Sequence, residues 1–382
     1  MELEYFFAEE AGDYALIAPP ANDDAWFDWL RLIRSRRVGP ATFRRLMGEH
    51  GTAKAALAAL DDVAAAAGVH NYQACPEGVV RAEMKAAHKL GAEMLCMGEA
   101  NFPSALADIK DAPPLLWVKG RAKLLTRPMV AMVGARNASS LGTRMAKRLA
   151  EELGDAGFVV VSGLARGIDT AAHQGALAQG TVAVMAGGLD VVYPPENAAL
   201  TAEIAEKGLC ISELAPGTQP QSRHFPARNR IVAGMVQAVL VVEAAAKSGS
   251  LITARMALDY GREVMAVPGH PYDGRATGCN MLIRDGAPML RGIDDVIEAL
   301  GTPLPVPPPA FLQPAKPTPQ SPPSVGALPD QILSLLSTSP IDEDTLIRDL
   351  ARPAPEVLAA ILDLELAGAI ARAPGGRVMR CA

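Results

Sequence analysis

The sequence predicts an α/β chain: a doubly wound parallel sheet, flanked by a small N-terminal helical domain and a C-terminal winged-helix-like domain. Three observations carry this. Short Val-rich runs alternate with helical patterns over residues 129–300. Two helical segments meet at a Gly-Pro break near residue 39, and a tail of three helices and a hairpin follows a Pro-rich stretch.

Taken in order, residues 1–24 form an acidic tail. Residues 1–30 hold eight acids (Glu2, Glu4, Glu9, Glu10, Asp13, Asp23, Asp24, Asp28) and no Lys or Arg. Such a start is neither a secretory nor an Arg-rich transit signal. Residues 25–100 are expected to be a helical domain. WFDWLRLIRS is helical, Val38-Gly39-Pro40 breaks it and ATFRRLMGEHG resumes. This resembles a helix-hairpin-helix or sterile-alpha-motif unit, whose turn amides can meet a phosphate. Arg34, Arg36, Arg37, Arg44 and Arg45 cluster there. A small bundle with a solvated basic face is the alternative, and both readings stay open.

Residues 101–300 carry the sheet. The runs Met129–Val133, Phe158–Val161, Thr181–Met185, Val239–Val242 and Glu263–Val267 are largely free of polar residues. Strands covered on both faces read this way. Between the first two, Met145, Leu149 and Leu153 recur at i, i+4, i+8 on a helix over Ser139–Ala156 that ends at Gly157. Strand–helix–strand repetition gives a doubly wound sheet, with its ligand at the carboxyl ends of the strands. Residues 301–326 are expected to be a linker, since ten of the 23 residues over 302–324 are proline. In residues 327–382, helices near Pro329–Leu336, Glu343–Leu350 and Ala354–Ala367 precede two strands around Pro374–Gly376. That order fits a winged helix. Its third helix carries Glu356, Asp363 and Glu365 and no base. Phosphate repels such a helix, so protein contact is expected of it.

Composition sets limits. Hydrophobic residues make up 49% of the 382, enough for a large core. The net charge of −6 argues against a polycationic nucleic-acid binder, although it averages over local patches. With 4% aromatic residues, stacking platforms have few candidates. The five cysteines are far apart and form no CxxC, so neither a zinc site nor a disulfide framework is expected. No apolar run approaches a membrane span. The expectation is a soluble cytoplasmic protein.

The chemistry gathers at turns. The first strand ends at Val133-Gly134-Ala135-Arg136-Asn137, the second at Ser162-Gly163-Leu164-Ala165-Arg166-Gly167, and the fourth run leads to Lys247-Ser248-Gly249-Ser250. Glycine admits a ligand close to the backbone, and helix amino ends present free amides. A cation at each turn points to an anionic ligand, most simply phosphates. In His224-Phe225-Pro226-Ala227-Arg228-Asn229-Arg230, Arg228 and Arg230 offer planar forks and Asn229 can bond a base edge or a backbone. The stretch Gly278–Ala287, with Asn280, repeats the Gly-polar turn before a helix.

Enzyme patterns are thin. No G-x-G-x-x-G follows the first strand and no G-x-x-x-x-G-K-[ST] occurs. Ser162, Asp169 and His173 lack a nucleophile elbow. Asp169 is expected near a helix start, with His173 as its local partner.

VSGLARGIDTAAH, GGLDVVYPPEN, HFPARNRIVAG, SGSLITARMAL and GREVMAVPG together resemble the DprA/Smf family of DNA-processing proteins, over about residues 102–291. The resemblance implies an extended Rossmann-like domain and non-enzymatic binding of single-stranded DNA. It implies protection of incoming DNA, dimer formation and loading of RecA recombinase in natural transformation, with no cofactor. The basic pocket carries over as Arg136 and Arg166, with Arg228 and Arg230 as helpers and Lys247, Ser248 and Ser250 from KSGS. The first turn reads VGAR where members usually have VGSR, so Ala135 lacks a hydroxyl. The alternative is a nucleotide hydrolase like the nucleoside-monophosphate phosphoribohydrolases. Glycosidic cleavage needs a carboxylate near the ribose. None occurs from Ala244 to Leu258; Glu243 and Asp259 are the nearest.

Overall fold

A computed structural model describes residues 17–303, 328–336, 341–350, 352, 354–373 and 377–380. The chain divides into two compact units, Met1–Pro307 and Pro308–Ala382. Most of the acidic tail, nearly all of the Pro-rich stretch and the Pro374–Gly376 turn lie outside the described residues.

The first unit opens with four helices: α1 (Asp23–Arg34), α2 (Pro40–His50), α3 (Ala53–Ala66) and α4 (Glu77–Lys89). Asn22 starts α1 by accepting the Ala25 amide, and Pro40 stands in the first turn of α2, where its missing N–H costs nothing. Trp29 and Phe43 meet at 4.9 Å between ring centroids in the module's core.

The arginines expected to form a basic patch here are mostly committed within the protein. Arg34 forms a fork on Glu83 and also donates to the Glu213 carbonyl; Arg44 is buried and donates to the Ala107 carbonyl. The Glu83 carboxylate also accepts the Trp117 indole N–H at 2.8 Å, and the Trp29 indole donates to the Pro114 carbonyl. These bonds tie the helices to the sheet. Of the cluster, Arg36 and Arg37 are exposed.

Eight strands form the sheet: β1 (Glu93–Cys96), β2 (Leu115–Gly120), β3 (Met129–Val133), β4 (Val159–Ser162), β5 (Thr181–Val184), β6 (Leu209–Ser212), β7 (Ala238–Val241) and β8 (Glu263–Ala266). Their order is β1-β2-β6-β5-β4-β3-β7-β8. β3 to β8 pair in parallel, as expected, while β1 and β2 add an antiparallel edge. The sheet therefore begins at Glu93, inside the stretch read as helical.

Alternation in the strands feeds two cores. On β3, Met129, Ala131 and Val133 face one layer, and Val130 and Met132 the other. Helices α6 (Ser140–Asp155) and α7 (Ile168–Ala176) cover the second layer through Leu149, Leu153 and Ile168. Helices α8 (Ala198–Lys207), α9 (His224–Gly234) and α10 (Ser250–Asp259) cover the first through Ile204, Ile231 and Ala254. Short α5 (Ser104–Ala107), α11 (Thr277–Arg284) and α12 (Ile293–Leu300) complete the unit. From β3 the chain steps one way to β4, β5 and β6, then returns to β7 on the other side of β3. That reversal is the switch point of a doubly wound sheet.

The second unit contains α13 (Leu328–Leu335), β9 (Ile341–Asp342), α14 (Glu343–Leu350), α15 (Ala354–Leu366), β10 (Ile370–Ala373) and β11 (Arg377–Arg380), with sheet order β10-β11-β9. Ile332, Leu346, Val357, Ile361 and Val378 form its core. This is the expected winged-helix layout, with the two-residue β9 added. α15 exposes Glu356 and Asp363, and also Leu358 and Leu362.

Candidate nucleic-acid interface

A cleft opens at the switch point, past the carboxyl ends of β3, β4, β5 and β7. It has a deeper recess of 340 Å³ and a wider groove of 830 Å³, which share Arg136, Gly163, Tyr193, Phe225 and Arg228. The recess is walled by Leu164, Met185, Val191 and Pro194, with Arg166 at its edge. The groove runs on past Lys247, Ser248, Gly249 and Ser250 to Arg275. Three turns distant in sequence thus share one site because each follows a parallel strand. The first two turns are bonded together, the Ile168 amide donating to the Ala135 carbonyl.

The cations at the cleft differ in kind. Arg136, Arg166, Lys247 and Arg275 are exposed. Arg136 lies over the Phe225 ring at 5.4 Å, within cation–π range. Arg166 pairs with Glu196 at the rim, and Arg275 with Asp273 at 3.2 Å. Arg228 is buried beneath the cleft and donates to the carbonyls of Gly163 and Val184 and, at 3.1 Å, to Asn229 Oδ1. Burial lowers its pKa, and the neighbouring Asp169 opposes that. Among the lining residues the one carboxylate is Asp169, buried, with Oδ2 accepting the amides of Gly163 and Ala165 at 3.2 Å each. Burial raises its pKa, against the pull of Arg228.

The predicted residues separate by geometry. Gly134, Arg136, Gly163, Arg166, Arg228, Asn229, Lys247, Ser248, Gly249 and Ser250 line the cleft. Arg230 does not. On α9 the groove is lined by Phe225, Pro226, Arg228, Asn229 and Val232, and Arg230 is not among them. Arg230 is buried instead against Glu213, with its Nη2 at 2.6 and 2.5 Å from the two carboxylate oxygens. Asn280 also lies elsewhere. Its amide group bonds both the N–H and the carbonyl of Gly269, closing the loop before α11.

His173 is not the partner of Asp169. Its Nδ1 lies 2.8 Å from Thr181 Oγ1, whose own proton goes to the Val160 carbonyl. Nδ1 therefore carries the hydrogen, and the buried ring is neutral, with burial lowering its pKa to about 3. Ser162 Oγ donates to the Met132 carbonyl. Ser162 and His173 are thus spent on bonds to Met132 and Thr181, and the Asp169 carboxylate is held by the Gly163 and Ala165 amides with the Ser162 hydroxyl beside it.

Composition hid two aromatic rings. Tyr193 and Phe225 meet at 5.7 Å between centroids at the shared mouth of recess and groove. Both lie in segments singled out above, VVYPPEN and HFPARNR. Arg275 was also missed, although DGRATG has the same pattern of a cation in a Gly turn before a helix.

The family model described as DNA recombination-mediator protein A matches residues 93–301, which hold the sheet and the whole cleft. The chain belongs to the DprA/Smf family. The model of the DprA-like N-terminal HHH domain matches residues 23–86, and that of the DprA winged helix domain 316–376. The DNA processing protein DprA of Streptococcus pneumoniae is 47% identical over 198 residues, covering 51% of this chain and 70% of that protein. The Synechocystis protein Smf is 34% identical over 318 residues, covering 75% and 80%. The X-ray structure of S. pneumoniae DprA superposes with a TM-score of 0.55 at 41% identity, over 58% of this chain and 77% of that one. A structure of DNA processing protein A from Helicobacter pylori, reported for its single-stranded DNA binding mode, gives 0.51 at 34% identity, over 55% and 95%. Among the described residues of this DprA/Smf chain, no helix is long and apolar enough to cross a membrane.

Proposed function

We propose that the cleft binds single-stranded DNA through its phosphates and stacked bases, without catalysis. The observation that carries this is the grouping of Arg136, Arg166, Arg228, Lys247 and Arg275 with the rings of Tyr193 and Phe225, against one lining carboxylate that is already bonded. Cations along a groove follow a backbone of any sequence, and aromatic faces take any unstacked base. A duplex keeps its bases paired and offers nothing to Tyr193 and Phe225. The single-strand binding mode described for the H. pylori relative supports the same reading.

On this reading the chain holds incoming single strands in natural transformation and recombination and passes them to RecA recombinase as a homodimer in the cytoplasm. The family description as a recombination mediator supports that role. The helical, sheet and winged-helix segments, as laid out from the sequence, would serve as its working domains, with the acidic, Leu-bearing α15 in contact with protein.

The test compares a fluorescent single strand with the matching duplex at fixed salt. Tighter binding of the single strand is expected; equal affinity would remove the stacking part of the proposal. In parallel the protein is incubated with AMP and the products are separated by chromatography. No free adenine is expected. Protein-dependent release lost on changing Lys247 or Glu243 would turn the reading into a hydrolase.

A further inference from the structure

Two walls of the recess come from separate segments. Leu164, Ala165 and Arg166 follow β4, while Val191, Tyr193 and Pro194 belong to the GGLDVVYPPEN segment before α8. Asn197, the last residue of that segment, lines neither recess nor groove and is 4% exposed. Its backbone joins the second wall, the N–H donating to the Pro194 carbonyl at 3.1 Å. Its side chain reaches the first. Nδ2 donates to the Leu164 carbonyl and to Thr170 Oγ1, each at 3.0 Å, and Thr170 Oγ1 donates in turn to the Ala165 carbonyl at 2.8 Å. Both hydrogens of the amide are therefore used. Leu164 is the residue that needs such a brace. It is buried with φ at +57°, a region that bulky side chains seldom hold. In that conformation the amides of Gly163 and Ala165 meet the same Asp169 oxygen, and the chain continues to Arg166 at the mouth.

We propose that Asn197 is a positioning residue for strand binding: it holds Leu164 in the left-handed conformation and so sets the gap between the Leu164 wall and the Tyr193 wall, where a base enters. Asn197 acts through these walls and touches no part of the strand. Without its donor, the buried Leu164 carbonyl is left unpaired, and the turn relaxes toward the conformations a leucine prefers. The wall then moves, and Arg166 moves with it. Only an amide serves here. A carboxylate of the same shape can accept from Thr170 but sets an oxygen against the Leu164 carbonyl. The inference rests on the cleft being a strand-binding surface, and its test separates the two.

The experiment measures single-strand affinity of the full chain by fluorescence anisotropy, well below the melting temperature of each variant. Asn197→Ala and Asn197→Asp are expected to bind about tenfold more weakly than the parent, the loss that an unpaired buried acceptor brings. Thr170→Val keeps the bond to Leu164 and should lose less. Double-mutant cycles separate positioning from general damage. Tyr193→Ala should cost much less affinity in Asn197→Ala than in the parent, because the recess it walls is already lost. Lys247→Ala, on the groove, should cost the same factor in both. Should Asn197→Ala fail to fold, Asn197→Asp replaces it in the cycles, and Thr170→Val does so if neither folds. Folded variants that bind like the parent overturn the proposal. So do independent losses at Asn197 and Tyr193, because Asn197 would then not act through the recess. A parent that binds no single strand defeats the reading of the cleft and this inference with it, whereas a binding parent with unimpaired variants defeats the inference alone.

Discussion

The guanidinium of Arg228 lies against Gly163: its Nη1 donates to the Gly163 carbonyl, and a methyl group at Gly163 would come within 2.0 Å of it. The floor of the cleft therefore depends on a residue without a side chain. Gly163→Ala should displace Arg228 and break its bonds to both carbonyls. Overpacking of this kind costs ~1–3 kcal/mol. Thermal unfolding is expected to show the loss, and single-strand affinity should fall with it. A variant with parental melting temperature and affinity would mean that Arg228 moves aside freely.

Arg136 and Arg166 are exposed at the mouth, so their expected contribution is to phosphates rather than to the fold. Each Ala variant should weaken binding to all sequences alike and reduce the log–log salt slope by about 1. Fluorescence anisotropy across a salt series measures both. An unchanged slope in the double variant would place the phosphates elsewhere.

Phe225→Ala should behave differently. Removing one stacking ring costs ~1–3 kcal/mol of binding. Because Arg136 stays charged, the salt slope should hold while affinity drops. A drop confined to low salt would indicate that Phe225 acts only by positioning Arg136.

His173 gives a pH dependence. Its pKa is about 3 in the fold against an ordinary 6.5. Between these values the unfolded chain binds a proton that the folded chain refuses. Stability is thus lost as pH falls below 6.5, at ~1.4 kcal/mol per unit. Arg228 adds to the depression of this pKa, while the raised pKa of Asp169 works in the opposite sense. Both remain in His173→Gln, so comparison with that variant isolates the histidine. Urea denaturation at pH 7.5 and 5.5 should show the parent losing ~1.4 kcal/mol more than His173→Gln. Equal losses would mean that the ring titrates normally.

What the sequence revealed followed from periodicity. The runs at Met129 and Val239 are apolar on both faces, and their helices repeat at 3.6, so the parallel sheet and the turns at its edge could be read directly. β1, β2 and β6 were not. Leu209–Ser212 reads LCIS, without the valines that mark the other parallel strands, and Leu115–Gly120 pairs antiparallel at a distance in sequence that no local pattern reports. In the site, Arg228 and Arg230 have the same chemistry and sit two residues apart. Only the rotation of α9 decides that one underlies the cleft while the other is spent on Glu213. Tyr193 and Phe225 were in quoted motifs, but whole-chain composition averaged them away.

The Glu83 carboxylate, shared between Arg34 and the Trp117 indole, has a practical consequence. The N-terminal helices are a lid on the flank of the sheet rather than a bead on a string. A fragment begun at residue 93 would uncover Trp117, leave its N–H without an acceptor and bare the apolar surface now under Trp29 and Phe43. Heating should therefore melt helices and sheet in one transition, and recombinant fragments that omit the helices should precipitate instead of reporting what the cleft does alone.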